Sequence, residues 1–280
     1  VQQVSEYNIG GYILFGRDFD GKTKDEVVDD IHSYQNEADI PLLIGVDEEG
    51  GTVVRVSSNP NLRETPFLSP KDTYADGGWD AVKQDAEEKA DLLLSLGINV
   101  NLAPVCDMTS DEYGFMYDRS FSSDVDMENR YVRTVVETSK SKKLGTVLKH
   151  FPGYGNNSDT HTGIAYDNRD YSEFENTDFK PFYQGIESGA DCILVSHNIV
   201  NCMDSEYPAS LSQKVHDILR NEFKFDGVIM TDDLIMDAIT DFTGDEAAAV
   251  TAAKCGNDLL CCSSVDTQYP AAVSYTHLTL

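Results

Sequence analysis

Seven short apolar runs, each closed by polar residues, punctuate the chain, and the intervals between them carry helix-like periodicity. The runs are GGYILFG (10–16), PLLIGVD (41–47), INVNLAPV (98–105), GTVLKHF (145–151), ADCILVSHN (190–198), DGVIMTDD (226–233) and NDLLCC (257–262). Between the first two, Thr23 to Ala38 places Val27, Val28, Ile31 and Tyr34 at helical spacing. Further helices are expected over 79–96, 126–143, 179–188, 211–223 and 245–255, and residues 1–9 read as the end of another. Near-continuous apolar strands that alternate with helices belong to a parallel sheet covered on both faces. The expected fold class is therefore α/β, a TIM (β/α)8 barrel with seven of its eight units visible and the first strand upstream of Val1. A doubly wound open sheet is the alternative, but no GxGxxG follows the first run. One catalytic domain is expected over 1–273; SYTHLTL (274–280) shows no helical pattern where a last, amphipathic barrel helix belongs, and reads as a non-native tail.

The polar residues that close the runs collect where such a barrel keeps its chemistry, at the C-terminal ends of the strands. Asp47 ends the second run, Asn101 and Asp107 flank the end of the third, and Lys149 with His150 ends the fourth. His197 and Asn198 end the fifth, and Asp232 with Asp233 ends the sixth. Any one of these is what a chain does on leaving a core; together they describe a polar pocket at one rim.

From the fourth run the chain opens into KHFPGYGNNSDTHTG (149–163), a Gly/Asn/Ser-rich loop that delivers Asp159 and His161 with one residue between them. In extended chain these two side chains share a side, so a carboxylate can hold one imidazole nitrogen and leave the other for proton transfer. The plainer reading is a surface loop in which Asp159 makes a turn and His161 is solvated. If the pocket holds a sugar, Asp47, Arg55, Arg119, Lys149 and His150 can hydrogen-bond its hydroxyls. Asp232 is then a candidate carboxylate nucleophile opposite the Asp159/His161 pair, the division of labour that retaining glycoside hydrolysis needs. Asp232 can equally cap the helix that follows, and Asp233 competes for either role.

Composition narrows the partners. With 49 Asp and Glu against 21 Lys and Arg, the formal net charge is −28, which repels nucleic acid and anionic membranes. No run approaches the ~20 apolar residues of a membrane helix. The six cysteines have no CxxC spacing and read as reduced packing residues. His150, Asp159, His161 and His197 are ligand types for a metal, but no HxH or HExxH pair anchors a site, so no metal and no cofactor is implied. The expected partner is a carbohydrate substrate; oligomeric state and compartment stay open.

The blocks ILFGR (13–17), GVDEEGGTVVR (45–55), NLAPVCD (101–107), DRSF (118–121), KHFPGYGNNSDTH, VSHN and GVIMTDDL resemble glycoside hydrolase family 3 in that family's order, across nearly the whole chain. They look most like its β-N-acetylhexosaminidase, NagZ-type branch. The resemblance implies a TIM barrel that removes terminal β-linked N-acetylglucosamine with retention. It also implies Asp232 as nucleophile, His161 as general acid/base, Asp159 as its partner, and Asp47, Arg55, Arg119, Lys149 and His150 as sugar-binding positions. Tyr154 stands where the family commonly has histidine, and Thr52 where it has arginine, which bears on substrate fit. Phosphorolysis in place of hydrolysis, a β-glucosidase, or a sugar-binding barrel without turnover are the other readings.

Overall fold

The computed structural model describes residues 2–157, 160 and 163–278. The first half runs α1 (Gln2–Tyr7), β1 (Gly11–Leu14), α2 (Gly16–Phe19), α3 (Lys24–Glu37), β2 (Leu43–Val46), α4 (Pro70–Leu96), β3 (Val100–Asn101), α5 (Val125–Lys142) and β4 (Gly145–Phe151). The second half continues with β5 (Tyr166–Asp167), α6 (Tyr171–Asn176), α7 (Phe179–Glu187), β6 (Cys192–Val195), β7 (Ile199–Val200), α8 (Gln213–Asp217), β8 (Val228–Thr231), α9 (Asp237–Thr240), α10 (Asp245–Lys254) and α11 (Val265–Leu278). Strands β1, β2, β3, β4, β6 and β8 lie side by side in that order, and every pair is parallel.

Alternation along the strands explains why the runs are apolar throughout. Leu102, Val147, Cys192, Leu194 and Met230 share one face and cluster with Ile13, Val100, Leu259 and Cys261. Leu148, Ile193, Val195 and Ile229 point the other way, into a core completed by Val132 and Val136 of α5, Phe179 and Phe182 of α7, and Val215 of α8. Ile44 and Val46 of β2 do the same against Val27 and Ile31 of α3 and Ala90, Leu93 and Leu96 of α4. Ile13 and Leu259, from opposite edges, reach one inner cluster, so the sheet is curled into a half-barrel with a packed concave face. Gly45 faces inward: a Cβ there would sit 3.0 Å from Leu102 Cδ1, so the missing side chain admits the leucine.

The helices start where local chemistry tells them to. Thr23 and Glu26 form a reciprocal capping box at α3, and Ser69 caps α4 with Pro70 in the first turn. The helix expected over 79–96 is the second part of α4, which bends at Gly77 and Gly78 and begins nine residues earlier, at Pro70.

Two other elements differ from expectation. The seventh run follows the β8 edge through one parallel bridge, Met230 to Leu259, and forms no ladder. Helix α11 continues through residues 274–278, where no helical pattern was legible. Its anchors are tertiary: the Tyr7 hydroxyl donates to Asp266 at 2.9 Å, and the Tyr7 and Tyr269 rings lie 5.0 Å apart, which joins α11 to α1. Among the described residues no helix is long and apolar enough to cross a membrane.

Candidate active site

The C-terminal ends of β2 and β4 meet in a buried ionic cluster. The pairing of β4 with β6 shifts register between Leu148 and Phe151, a break in regular alternation of the kind that re-aims side chains beside a site. Lys149 and His150 fall within it, and both are buried. Lys149 Nζ lies 2.5 Å from Asp47 Oδ1 and 2.6 Å from Glu49 Oε1. Arg119, on the turn that begins at Met116, donates from Nε and Nη2 to the two Glu49 oxygens at 2.9 and 2.8 Å, a bidentate pair. Burial disfavours the ionised Glu49 carboxyl, but Lys149 and Arg119 outweigh it and hold the group well below the usual carboxylate range. Burial likewise opposes the Lys149 charge, and Asp47 and Glu49 overcome it and raise the ammonium.

A second carboxylate organises the neighbouring imidazole. Asp107, fully buried, sits 2.7 Å from His150 Nδ1 and accepts the His150 backbone N–H at 3.0 Å and the Tyr154 backbone N–H at 2.7 Å. Arg119 Nη2 approaches His150 Nε2 at 3.3 Å. A guanidinium only donates, so Nε2 is the acceptor and the ring proton sits on Nδ1, directed at Asp107. Glu48, between Asp47 and Glu49, turns away from the cluster and accepts the backbone N–H groups of Arg55 and Val56 at 2.9 and 2.7 Å. Asn101 braces its backbone from both sides.

At the end of β8 the adjacent carboxylates divide their work. Asp233 accepts the N–H groups of Ile235 and Ser263, bonds the Ser263 hydroxyl, and offers its carbonyl to His197 Nε2 at 3.0 Å. The other His197 nitrogen lies 2.7 Å from Ser210 Oγ. Asp232 is half-buried, its backbone N–H bonds the Val195 carbonyl at 3.1 Å, and its Oδ1 accepts the Asp233 N–H at 2.8 Å. Helix α9 takes its N-cap from Met236, so Asp232 caps no helix. Cys261 packs against the inner cluster, and its thiol is pushed up by burial and then by Asp233, Asp232, Cys262 and Asp47.

Of the residues singled out from sequence, Asp47, Arg119, Lys149 and His150 are brought together. Among the described residues Arg55 makes no bond to their network: its guanidinium lies 5.9 Å from the Phe15 ring, and its Nε is buried with no hydrogen-bond partner there. Asp159 and His161 lie outside the described residues. The chain on either side of them is tied down. Tyr166 and Asp167 pair with Ile199 and Val200, and Arg169 binds Asp167, Asp178 and the Gly153 carbonyl. Gly153 adopts φ 116°, and a Cβ there would fall 2.3 Å from Asp178 Oδ1.

The cysteines are less uniform than expected. Cys106, Cys192 and Cys255 are buried, Cys261 and Cys262 are half-buried, and Cys202 is exposed; all six are free. Sequence reasoning did not single out Glu49 as a site residue, and placed Asp107 only at a strand end. The signal for Glu49 was its place in DEEGG, two residues after a strand-end aspartate; that for Asp107 was the close of NLAPVCD.

A family model described as the glycosyl hydrolase family 3 N-terminal domain matches residues 1–278. The chain belongs to glycosyl hydrolase family 3. It is 32% identical over 272 residues to a beta-hexosaminidase of Nitrosomonas eutropha, covering 94% of this chain and 76% of that protein. Among solved structures, a family 3 beta-N-acetylglucosaminidase from Paenibacillus sp. str. FPU-7 superposes with a TM-score of 0.91 at 27% identity, over 100% of this chain and 53% of that one. NagZ from Neisseria gonorrhoeae, solved with N-trifluoroacetyl-D-glucosamine, gives a TM-score of 0.82 at 25% identity, over 98% of this chain and 80% of that one. The chain thus spans about half of the Paenibacillus family 3 chain.

Proposed function

We propose that this family 3 chain is the (β/α)8-type catalytic barrel of a retaining β-N-acetylhexosaminidase that removes terminal β-linked N-acetylglucosamine from cell-wall or chitin-type oligosaccharides. Asp232 attacks the anomeric carbon while His161, oriented by Asp159, gives its proton to the departing glycosidic oxygen. The same imidazole then takes a proton from water, the water oxygen attacks the anomeric carbon, and Asp232 leaves as carboxylate. Asp47, Arg55, Arg119, Lys149 and His150 hold the sugar hydroxyls.

The observation that carries this reading is the division between the two carboxylates at the end of β8. Asp233 is bound to Ile235 and Ser263 in the turn, whereas Asp232 follows directly on the end of β8, as Asp47 follows on the end of β2. The beta-hexosaminidase relatives support the choice of sugar. A histidine donor, imidazolium before it gives up its proton and neutral afterwards, also avoids setting a second carboxylate charge beside the nucleophile. The test is release of chromophore from an aryl β-N-acetylglucosaminide, compared with the aryl β-glucoside, by the parent protein, Asp232→Ala and His161→Ala. Preference for the acetamido sugar and loss in both variants is expected. A folded protein that binds the sugar without turnover would reject catalysis, and a requirement for phosphate would replace hydrolysis by phosphorolysis.

A further inference from the structure

The Tyr154 hydroxyl lies 2.6 Å from Thr160 Oγ1, and both side chains are buried. Thr160 is the residue covalently between Asp159 and His161. We propose that Tyr154 is a positioning residue that fixes the acid/base segment by holding Thr160, and that Asp107 couples this tether to the sugar-binding side of the pocket. The inference rests on the reading of His161 as acid/base.

Tyr154 is suited to the task because it is itself held at three points. Its backbone N–H is bound by Asp107 Oδ1, the same carboxylate that holds His150 through its other oxygen. Its ring stands edge-on to His150 at 5.4 Å and to Phe115 at 5.0 Å, and it packs with Val105 and Met116. Its carbonyl accepts the Asn157 N–H at 3.0 Å, and Asn156 Oδ1 accepts the Thr109 hydroxyl at 2.7 Å. A rigid aromatic lever thus runs from the base of the pocket to the middle of the DTH triplet. The bond joins two hydroxyls in a buried place, so removing either one takes a hydrogen-bond partner from the other that water does not readily replace. A proton donor displaced by a fraction of an ångström loses catalytic power well before the sugar loses its binding site.

The experiment compares two aryl β-N-acetylglucosaminides, one with a poor leaving group that needs protonation and one dinitrophenyl glycoside that departs without it. Tyr154→Phe and Thr160→Val are each expected to lower kcat on the poor leaving group by about 10- to 100-fold. KM and the rate of the first chemical step on the dinitrophenyl glycoside should stay near those of the parent. The double variant should be no worse than either single one, because both remove the same bond. Thr160→Ser, which keeps the hydroxyl, is expected to retain activity. His161→Ala run beside them separates the claims. If it shows the leaving-group selectivity and Tyr154→Phe does not, the tether is overturned and the acid/base reading stands. If His161→Ala slows both substrates alike, both fall. Equal loss on both substrates in Tyr154→Phe would make the residue structural only and also overturn the proposal.

Discussion

Lys149 Nζ lies 2.6 Å from Glu49 Oε1, and each side chain is only 2% exposed. Two opposite charges are therefore kept out of water at the ends of β2 and β4, and each is tolerable there because it is paired. Asp47 and Arg119 extend the pair into a network that faces the concave rim.

Removing one partner strands the rest. Lys149→Met leaves Glu49 with Arg119 alone and Asp47 without its cation, and is expected to cost about 3–5 kcal/mol of stability, the range for an uncompensated buried charge. Urea denaturation of parent and variant measures it, and a midpoint shift within error would contradict the reading of the network.

Glu49 also sets an acid limb. Its folded pKa is depressed, so its contribution is fully present above the unfolded value of about 4.3 and is lost as pH falls toward the folded value. Glu49→Gln should be less stable than the parent at neutral pH, with the gap narrowing only below pH ~4. Thermal melts across that range check the sign.

Glu128 runs the other way. It is buried near the start of α5, accepts the Ser122 N–H at 2.8 Å, and has its second oxygen unpartnered; burial raises its carboxyl well above the usual range. The folded state then binds a proton that the unfolded chain releases above about pH 4.3, so this group's contribution falls as pH rises, by about 1.4 kcal/mol per pH unit at most. Glu128→Gln should flatten that slope between pH 5 and 7, roughly the span above the unfolded pKa. Steeper loss with pH in the variant would contradict the assignment.

Thiol chemistry should single out Cys202. It is the exposed cysteine; partial burial and Asp167 raise its thiol too, but the more buried Cys262 is pushed up to about 12, with Asp233 adding to the shift. Since the thiolate is the nucleophile, iodoacetamide near neutral pH is expected to modify Cys202 first and leave Cys261 and Cys262 intact in the folded protein. Peptide mapping by mass spectrometry reads the order.

The alternation of strands and helices was legible because β2, β4, β6 and β8 are buried for most of their length and so are largely apolar. Lys149, His150 and Asp47 were legible as strand ends. Glu49 was not, because a carboxylate in a loop looks solvated until a partner from 100 residues away, Lys149, is folded against it. The tie between Tyr154 and Thr160 is of the same kind, a contact that no periodicity records. The pairing of β5 with β7 involves two residues on each side, too few for a pattern. Helix α11 has Pro270 within it and depends on α1, so its signal lies in tertiary packing. The competition between Asp232 and Asp233 needed Ser263, which comes 30 residues later and occupies Asp233.

The most direct measurement is trapping of the covalent intermediate. A fluorinated N-acetylglucosaminyl fluoride forms the glycosyl ester quickly and releases it slowly, so brief incubation, proteolysis and mass spectrometry locate the sugar. A single labelled peptide with the sugar on Asp232 is expected. Label on Asp233 or another carboxylate, or steady turnover of the aryl glycoside with no labelled peptide, would contradict it.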